Sequence, residues 1–267
     1  MSDTTQFSGN PAENYERFFV PSIGRPAGTE FVELASLQRG ERVLDAGCGT
    51  GIIARLAAER VGPGCVTALD VTAAMLAVAR TATPPDAVAS WHEASVEAMP
   101  LGDQSFDVVL CQLVLQFVGD KQAALREMRR VLAPGGRLVL STIGPTPPLF
   151  AVMRDALARH LGPQVAGFVN VVFSMHEPAT LRTLAEGAGF DDISVATRTT
   201  TLRLPPPREF LWQYLVSTPL AMMLAQTPDK TRDGIERDIV PAWLELVSAD
   251  GQLVCPVPVH VLTARRG

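Results

Sequence analysis

The sequence predicts an α/β fold built on a parallel, doubly wound sheet. Apolar runs of strand length, at 42–46, 65–70, 88–92, 106–111 and 137–142, alternate with helical patterns. The first run stops at an acid and passes into glycines at alternate positions, Asp45-Ala46-Gly47-Cys48-Gly49-Thr50-Gly51, with a helical pattern at once behind them. The chain has 267 residues, 47% hydrophobic and 19% charged, which is enough for one α/β domain with elaborations or two small domains. Strict alternation of strand and crossover helix demands parallel strands with helices on both faces.

Each element has a local cause. Residues 1–10 read as a loose polar tail. Tyr15, Phe18 and Phe19 share one face of a helix over 14–20, and Pro21 and Pro26 are expected to break the chain. This aromatic helix either packs on the core or folds over a bound cofactor. A helix resumes over 28–37. Behind the glycines, Ile52, Ile53, Leu56 and Ala57 recur at helical spacing to about residue 60, and Val61-Gly62-Pro63-Gly64 makes a turn into the second strand. Thr72 is positioned to cap a helix that carries Met75, Leu76 and Ala79 inward. A loop over 94–105 leads to the fourth strand. Asp120 opens a helix with Leu125, Met128 and Leu132 inward, and Arg126, Arg129 and Arg130 read as its solvated face. Pro134-Gly135-Gly136 turns into the fifth strand.

The second half is less regular. It offers a helix over 149–161, an apolar stretch over 168–173, a helix over 179–188 and a sixth strand over 193–201. A helical region follows over 208–247, rich in Trp212, Tyr214, Met222, Met223 and Trp243, and the last strand spans 257–264.

Composition narrows the function. A net charge of −5 argues against a dedicated nucleic-acid binder, which carries a basic face. Cys48, Cys65, Cys111 and Cys255 lie far apart, with no CxxC pair and no disulfide framework, so a reduced cytoplasm is the expected compartment. The polar N-terminus lacks a signal-peptide core, and no apolar run is long enough to span a bilayer.

The glycine loop points to a nucleoside cofactor. The run at 65–70 ends in a second acid, Asp70, placed to bind the two hydroxyls of a ribose. A dinucleotide loop spaces its glycines G-x-G-x-x-G around a pyrophosphate. Here the third glycine comes one residue early, and Asp45 ends the strand two residues before the first. An acid there repels a pyrophosphate and suits a cation. S-adenosylmethionine carries a sulfonium and an ammonium and no phosphate.

With that, residues 45–51 resemble the first motif of the class I S-adenosylmethionine-dependent methyltransferases, and of the branch that includes the quinone-biosynthesis enzymes. Residues 94–100 (ASVEAMP), 103–109 (DQSFDVV) and 127–136 (EMRRVLAPGG) match further motifs in order, so the resemblance covers about 42–142. It implies a Rossmann-like seven-stranded sheet of order 3-2-1-4-5-7-6 with strand seven antiparallel, and S-adenosylmethionine as cofactor with S-adenosylhomocysteine as product. By the same resemblance Gly47 and, through water, Asp45 hold the methionine end, and Gly49 joins the cofactor site. Asp70 binds the ribose; Val71 and Met75 join the cofactor site, with Met75 packing on the adenine. Ser95 and Val96 stand where the family has Asp-Ala at the adenine amino group, and Gln112 lines the floor near the methyl.

A single methyltransferase domain is expected, with core 38–142, 179–204 and 255–267 and lid elements 10–37, 143–178 and 205–252. The two inserts leave the carboxyl edge of the sheet, where ligands bind, and their Phe, Trp, Met and Leu content implies an apolar or aromatic acceptor. The sequence lacks the Asn/Asp-Pro-Pro-aromatic motif of nucleic-acid amino methylation, the carboxylates of magnesium-dependent catechol methyltransferases, a His/Cys zinc cluster and a three-cysteine iron–sulfur motif. The expected reaction is metal-free in-line transfer to oxygen, carbon or nitrogen of a small molecule, by a monomer or a homodimer. His160, His176, His260 and Tyr214 are the possible bases. His176, before the Glu177-Pro178 turn, is favoured, and His260, in the last strand, reads as structural. Gln116 is placed to hydrogen-bond the acceptor. The alternatives are a non-methylating protein on the same fold, such as a cyclase or regulatory module, and a dinucleotide oxidoreductase, against which the loop spacing counts.

Overall fold

The structure is a computed structural model that describes residues 10–267. In chain order it contains α1 (Pro11–Asn14), a π-helical stretch (Tyr15–Gly24), α2 (Arg25–Leu34), β1 (Val43–Ala46), α3 (Ile52–Val61), β2 (Val66–Asp70), α4 (Ala73–Ala82) and β3 (Val88–Glu93). Then come β4 (Phe106–Gln112), a 3-10 turn (Leu115–Phe117), α5 (Lys121–Val131), β5 (Leu132–Ile143), α6 (Pro148–Leu161), α7 (Pro163–Val172) and α8 (Pro178–Gly187). The chain closes with β6 (Asp191–Leu204), α9 (Pro207–Val216), α10 (Ala221–Ala225), α11 (Asp229–Trp243), a 3-10 turn (Leu244–Leu246) and β7 (Leu253–Arg265). Among the described residues no helix is long and apolar enough to cross a membrane.

The described residues form two compact units. Residues 27–145, 173–198 and 258–267 make the sheet unit; residues 10–26, 146–172 and 199–257 make a mostly helical unit. Residues 27–37, 143–145 and 173–178, expected in lid elements, group with the sheet unit, and residues 199–204 and 255–257, expected in the core, group with the helical unit.

The sheet has seven strands in the order β3-β2-β1-β4-β5-β7-β6, and β7 runs antiparallel to β5. The other four described pairings are parallel. All four residues of β1 are buried, as a strand covered on both faces requires. On one face Leu44, Ala46, Val109, Cys111, Leu138 and Leu140 pack with Leu125 and Met128 of α5 and Leu181 and Ala185 of α8. Side chains alternate along strands, so Asp45, Gln112 and Ser141 fall on the other face. Gln112 pairs in register with Ser141. The carboxyl ends of three adjoining strands therefore place polar groups on one face.

The structure corrects several local expectations. The tail expected over residues 1–10 lies outside the described residues except for Asn10. Its Oδ1 accepts the Ala12 N–H at 3.0 Å and caps α1. Pro21 does not break the chain; it sits inside the π-helical stretch. There the Arg25 N–H reaches back five residues to the Val20 carbonyl, and the wider turn leaves room for a ring that would clash in an α-helix. Pro26 falls in the first turn of α2, directly behind that stretch, and does not break the chain either.

The Thr72 hydroxyl makes no cap bond; Asp70 Oδ1 takes the Thr72 N–H at 2.9 Å instead. Met75 is only half-buried, while Leu76 and Ala79 are fully inside. The apolar stretch at 168–173 lies largely within α7.

Of the three arginines expected in solvent, only Arg126 is exposed. Arg129 donates to the Gly189 carbonyl at 2.7 Å. Arg130 pairs with Glu127 and Asp103 at 2.6 Å each and donates to the carbonyls of Met99 and Leu101. The loop over 94–105 has no ladder of its own, so its backbone acceptors need donors from elsewhere, and a guanidinium brings five. Asp120 does cap α5, accepting the Ala123 N–H at 2.8 Å.

The helical unit has its own core. Phe150, Phe210 and Tyr214 lie with ring centroids 5.3–6.4 Å apart, and Trp243 packs 5.7 Å from Phe210. Trp243 is fully buried and donates to the Leu149 carbonyl at 3.0 Å; Trp212 donates to Glu236 at 3.0 Å. These aromatics hold the unit together. Tyr214 is thereby removed as a base, since burial pushes its phenol well above the usual range and keeps it protonated.

Candidate active site

The site is built at the carboxyl ends of β1, β2 and β4. Past Ala46 the chain leaves β1 and hangs from β2: the Gly47 and Cys48 N–H groups both donate to the Leu69 carbonyl, at 2.7 and 2.9 Å. Gly47 has φ +82°, and a Cβ there would stand 2.5 Å from Val114, so no other residue fits without displacing the turn after β4. In front of Gly49, by contrast, a Cβ would meet nothing within 4 Å. The loop is closed beneath at Gly47 and open at Gly49.

Asp70 does more than end β2. Its Oδ2 accepts the Gly49 N–H at 2.8 Å and its Oδ1 accepts the Thr72 N–H. The carboxylate pins the glycine loop and keeps further lone pairs for a ligand's hydroxyls. Val71, next along, is 69% exposed, an apolar surface beside that acid. Met75 stands half-buried on α4 close by in sequence.

Asp45 is 1% exposed, and its Oδ2 has no hydrogen-bond partner. Burial pushes its carboxyl up to about 7, and the nearby Asp70 charge pushes the same way; the Ala54 N–H and Arg55 oppose this. Arg55 is itself buried and donates to the Thr50 carbonyl at 2.7 Å, bracing the loop from α3. Sequence reasoning passed over Arg55, whose one signal was a charged residue inside an apolar helical run.

Farther along the edge, the Ser95 hydroxyl accepts the Glu97 N–H at 3.1 Å and donates to the Glu97 carboxylate at 3.0 Å. One lone pair remains for an incoming amino group. Glu97 also takes the Asp120 N–H, so this missed residue ties the loop over 94–105 to the start of α5. Val96 is buried and belongs to the sheet's core. Gln112 is half-buried beside Gly28, where a Cβ would come 3.7 Å from its Oε1 and 2.9 Å from Ile53.

The histidines separate. His260 is buried and fully bonded, to Thr197 at 2.8 Å and to the His176 carbonyl at 2.8 Å, a structural link between strands and loop. His160 pairs with Asp238 at 3.0 Å within the helical unit. His176 has a half-exposed ring whose Nδ1 donates to the Phe173 carbonyl at 3.0 Å, with Nε2 3.6 Å from Glu177. Neither contact reaches the glycine loop.

These residues fit a cationic nucleoside cofactor. An unpartnered carboxylate oxygen waits at the end of β1, the loop is open at Gly49, and an acid with free lone pairs is flanked by exposed apolar surface. A pyrophosphate would meet two acids there.

The methyltransferase domain family matches residues 44–140. The chain is 35% identical over 179 residues to the ubiquinone/menaquinone biosynthesis C-methyltransferase of Stutzerimonas stutzeri, covering 61% of this chain and 70% of the relative. The chain belongs to the class I S-adenosylmethionine-dependent methyltransferases. It is also 35% identical over 138 residues to the malonyl-[acyl-carrier protein] O-methyltransferase of Erwinia billingiae, and there it spans about half of each chain, 52%. Among solved structures, Haemonchus contortus phosphoethanolamine N-methyltransferase 2 in complex with S-adenosyl-L-methionine superposes with a TM-score of 0.62 at 21% identity. That alignment covers 99% of this chain and 58% of that one and shows a shared fold. The cofactor of this methyltransferase is S-adenosylmethionine, and the sheet order agrees with the family's.

Proposed function

We propose that this methyltransferase transfers the methyl group of S-adenosylmethionine to an apolar or aromatic small molecule, at oxygen, carbon or nitrogen, releasing S-adenosylhomocysteine. The observation that carries this reading is the unpartnered Asp45 Oδ2 beneath a glycine loop open at Gly49. Gly47, Gly49 and Asp45 would hold the methionine end, Asp70 the ribose, Val71, Met75, Ser95 and Val96 the adenine, and Gln112 the floor. The cofactor supplies a leaving group already activated as a sulfonium. The protein's share is to orient the acceptor in line and exclude water.

The name of one relative, a C-methyltransferase of ubiquinone/menaquinone biosynthesis, supports a small-molecule acceptor, and that of another, a malonyl-[acyl-carrier protein] O-methyltransferase, supports oxygen beside carbon as the methylated atom. The Phe, Trp, Met and Leu content of the inserts supports an apolar one. A base is needed only where the nucleophile starts protonated. For that case His176 is the assigned base: its Nδ1–H is held by Phe173, which leaves Nε2 as the lone pair. The four cysteines are free, in keeping with a cytoplasmic enzyme. Monomer and homodimer remain the expected states.

Calorimetry with S-adenosylhomocysteine tests the cofactor site. Wild type binds it, and Asp70→Ala weakens binding by about a hundredfold, from lost charge-assisted bonds to ribose and loop. No binding at millimolar ligand refutes the reading. Incubation with labelled cofactor and a metabolite extract from the protein's own source then identifies the acceptor. A bound cofactor whose methyl is never consumed favours the cyclase or regulatory alternative.

A further inference from the structure

The turn after β4 carries two features that cofactor binding does not use. Leu113 has φ +56°, a left-handed backbone that costs a non-glycine residue about 1–2 kcal/mol. Three residues on, Gln116 is 5% exposed and its Oε1 has no partner. Chemistry fixes which way this amide points. One end lies 2.9 Å from the Leu113 carbonyl, and only the NH2 can donate to a carbonyl. Oε1 is the end left over. The Leu113 N–H is committed to the Ser141 carbonyl at 3.0 Å, so the strained residue is clamped on both sides and holds the amide in place.

This turn lies against the glycine loop, because Val114 fills the space a side chain on Gly47 would need. A buried acceptor without a donor destabilises a fold, and leucine or methionine at position 116 would avoid the loss. A buried, oriented and unanswered oxygen, two residues from the side chain that packs against Gly47, suits a recognition group.

We propose that Gln116 Oε1 accepts a hydrogen bond from the methyl acceptor, which narrows the acceptor to apolar molecules bearing an O–H or N–H at or beside the methylated position. This rests on the methyltransferase reading above. A site built to bond a donor discriminates against the analogue that lacks it, since the analogue leaves the oxygen buried and unanswered.

The test titrates the protein saturated with S-adenosylhomocysteine with 1-naphthol and with its methyl ether. Wild type should hold the naphthol at least about tenfold tighter than the ether. Gln116→Leu should bring that ratio to about one, and Gln116→Glu, which keeps an acceptor oxygen, should retain a preference for the naphthol. Binding of S-adenosylhomocysteine should stay within about twofold in all three forms. A purely structural glutamine would shift melting temperature and leave the ratio alone. Wild type that holds the naphthol no better than the ether, or binds neither, overturns the proposal, as does a preference that survives in Gln116→Leu. Failure of S-adenosylhomocysteine itself to bind refutes the methyltransferase reading instead.

Discussion

Asp45 should make the unliganded protein less stable as pH rises, and Asp45→Asn should remove that loss. The carboxyl is buried with one oxygen unanswered, and its pKa stands at about 7 against an ordinary value of 3.8. A group raised in the folded state favours folding while protonated. Its contribution is intact below about pH 4 and is lost as pH climbs to about 7, because the unfolded chain ionises first. At about 1.36 kcal/mol per pH step, the full span corresponds to an upper bound of about 4 kcal/mol, and the part between about pH 5 and 7 to about 2–3 kcal/mol. Asparagine keeps an acceptor for the Ala54 N–H and carries no charge. Urea unfolding of both proteins at about pH 5 and about pH 8, followed by Trp91 fluorescence in a Trp212→Phe/Trp243→Phe background, reads the difference. The mutant's advantage should widen by about 2–3 kcal/mol between the two conditions. Saturating S-adenosylhomocysteine, whose ammonium can answer the carboxylate, should restore the wild type at about pH 8. An advantage that does not change with pH refutes the argument.

Other expectations follow from single contacts. Gly47→Ala combines a left-handed φ with a Cβ 2.5 Å from Val114, so thermal melts should show a loss of about 1–3 kcal/mol and calorimetry a weaker cofactor complex. Arg130→Ala releases the carbonyls of Met99 and Leu101 together with Glu127 and Asp103; limited proteolysis should cut within 94–105 sooner, with stability reduced by about 1–3 kcal/mol. His176→Ala should lower kcat by about a hundredfold on an acceptor whose nucleophile is protonated and leave KM for that acceptor little changed. An unchanged kcat would strip His176 of the base role.

What the sequence made legible is what is local. Strand runs, the glycine loop and the Asp120 cap each depend on a few consecutive residues, and the structure shows all three. The order of the sheet was carried by resemblance and is observed. What stayed hidden joins residues far apart in the chain. Arg130 serves a loop about thirty residues upstream, and Glu97 reaches forward to Asp120. No periodicity encodes such bonds; they arise because an irregular loop leaves backbone groups that some side chain must satisfy. Pro21 misled for the opposite reason. Its local rule is sound for an α-helix, but the turn it occupies is π-helical. In the helical unit an aromatic residue that packs its own core and one that lines an acceptor pocket look alike in sequence, and burial of Trp243 and Tyr214 assigns them to the core.

The two acids that ended the first two strands look equivalent in sequence, and register separates them. Ala46 pairs with Leu69, so Asp70 lies one step beyond the end of β1, level with the loop, where backbone N–H groups of Gly49 and Thr72 face it. Asp45 pairs with Ala68, inside the sheet, where desolvation dominates and one oxygen finds no donor. Asp70 accepts two backbone N–H groups in the free protein and orders the loop before any cofactor arrives. Asp45 is destabilised in the free protein, and under the proposed function a ligand cation would answer it. Under the proposed function the two carboxylates would divide the work: one fixes the shape of the loop, and the other holds a free-energy deficit that binding would relieve. Replacing both by the neutral amide should therefore have opposite effects on the unliganded fold above about pH 7, a gain at Asp45 and a loss at Asp70, while both replacements weaken binding.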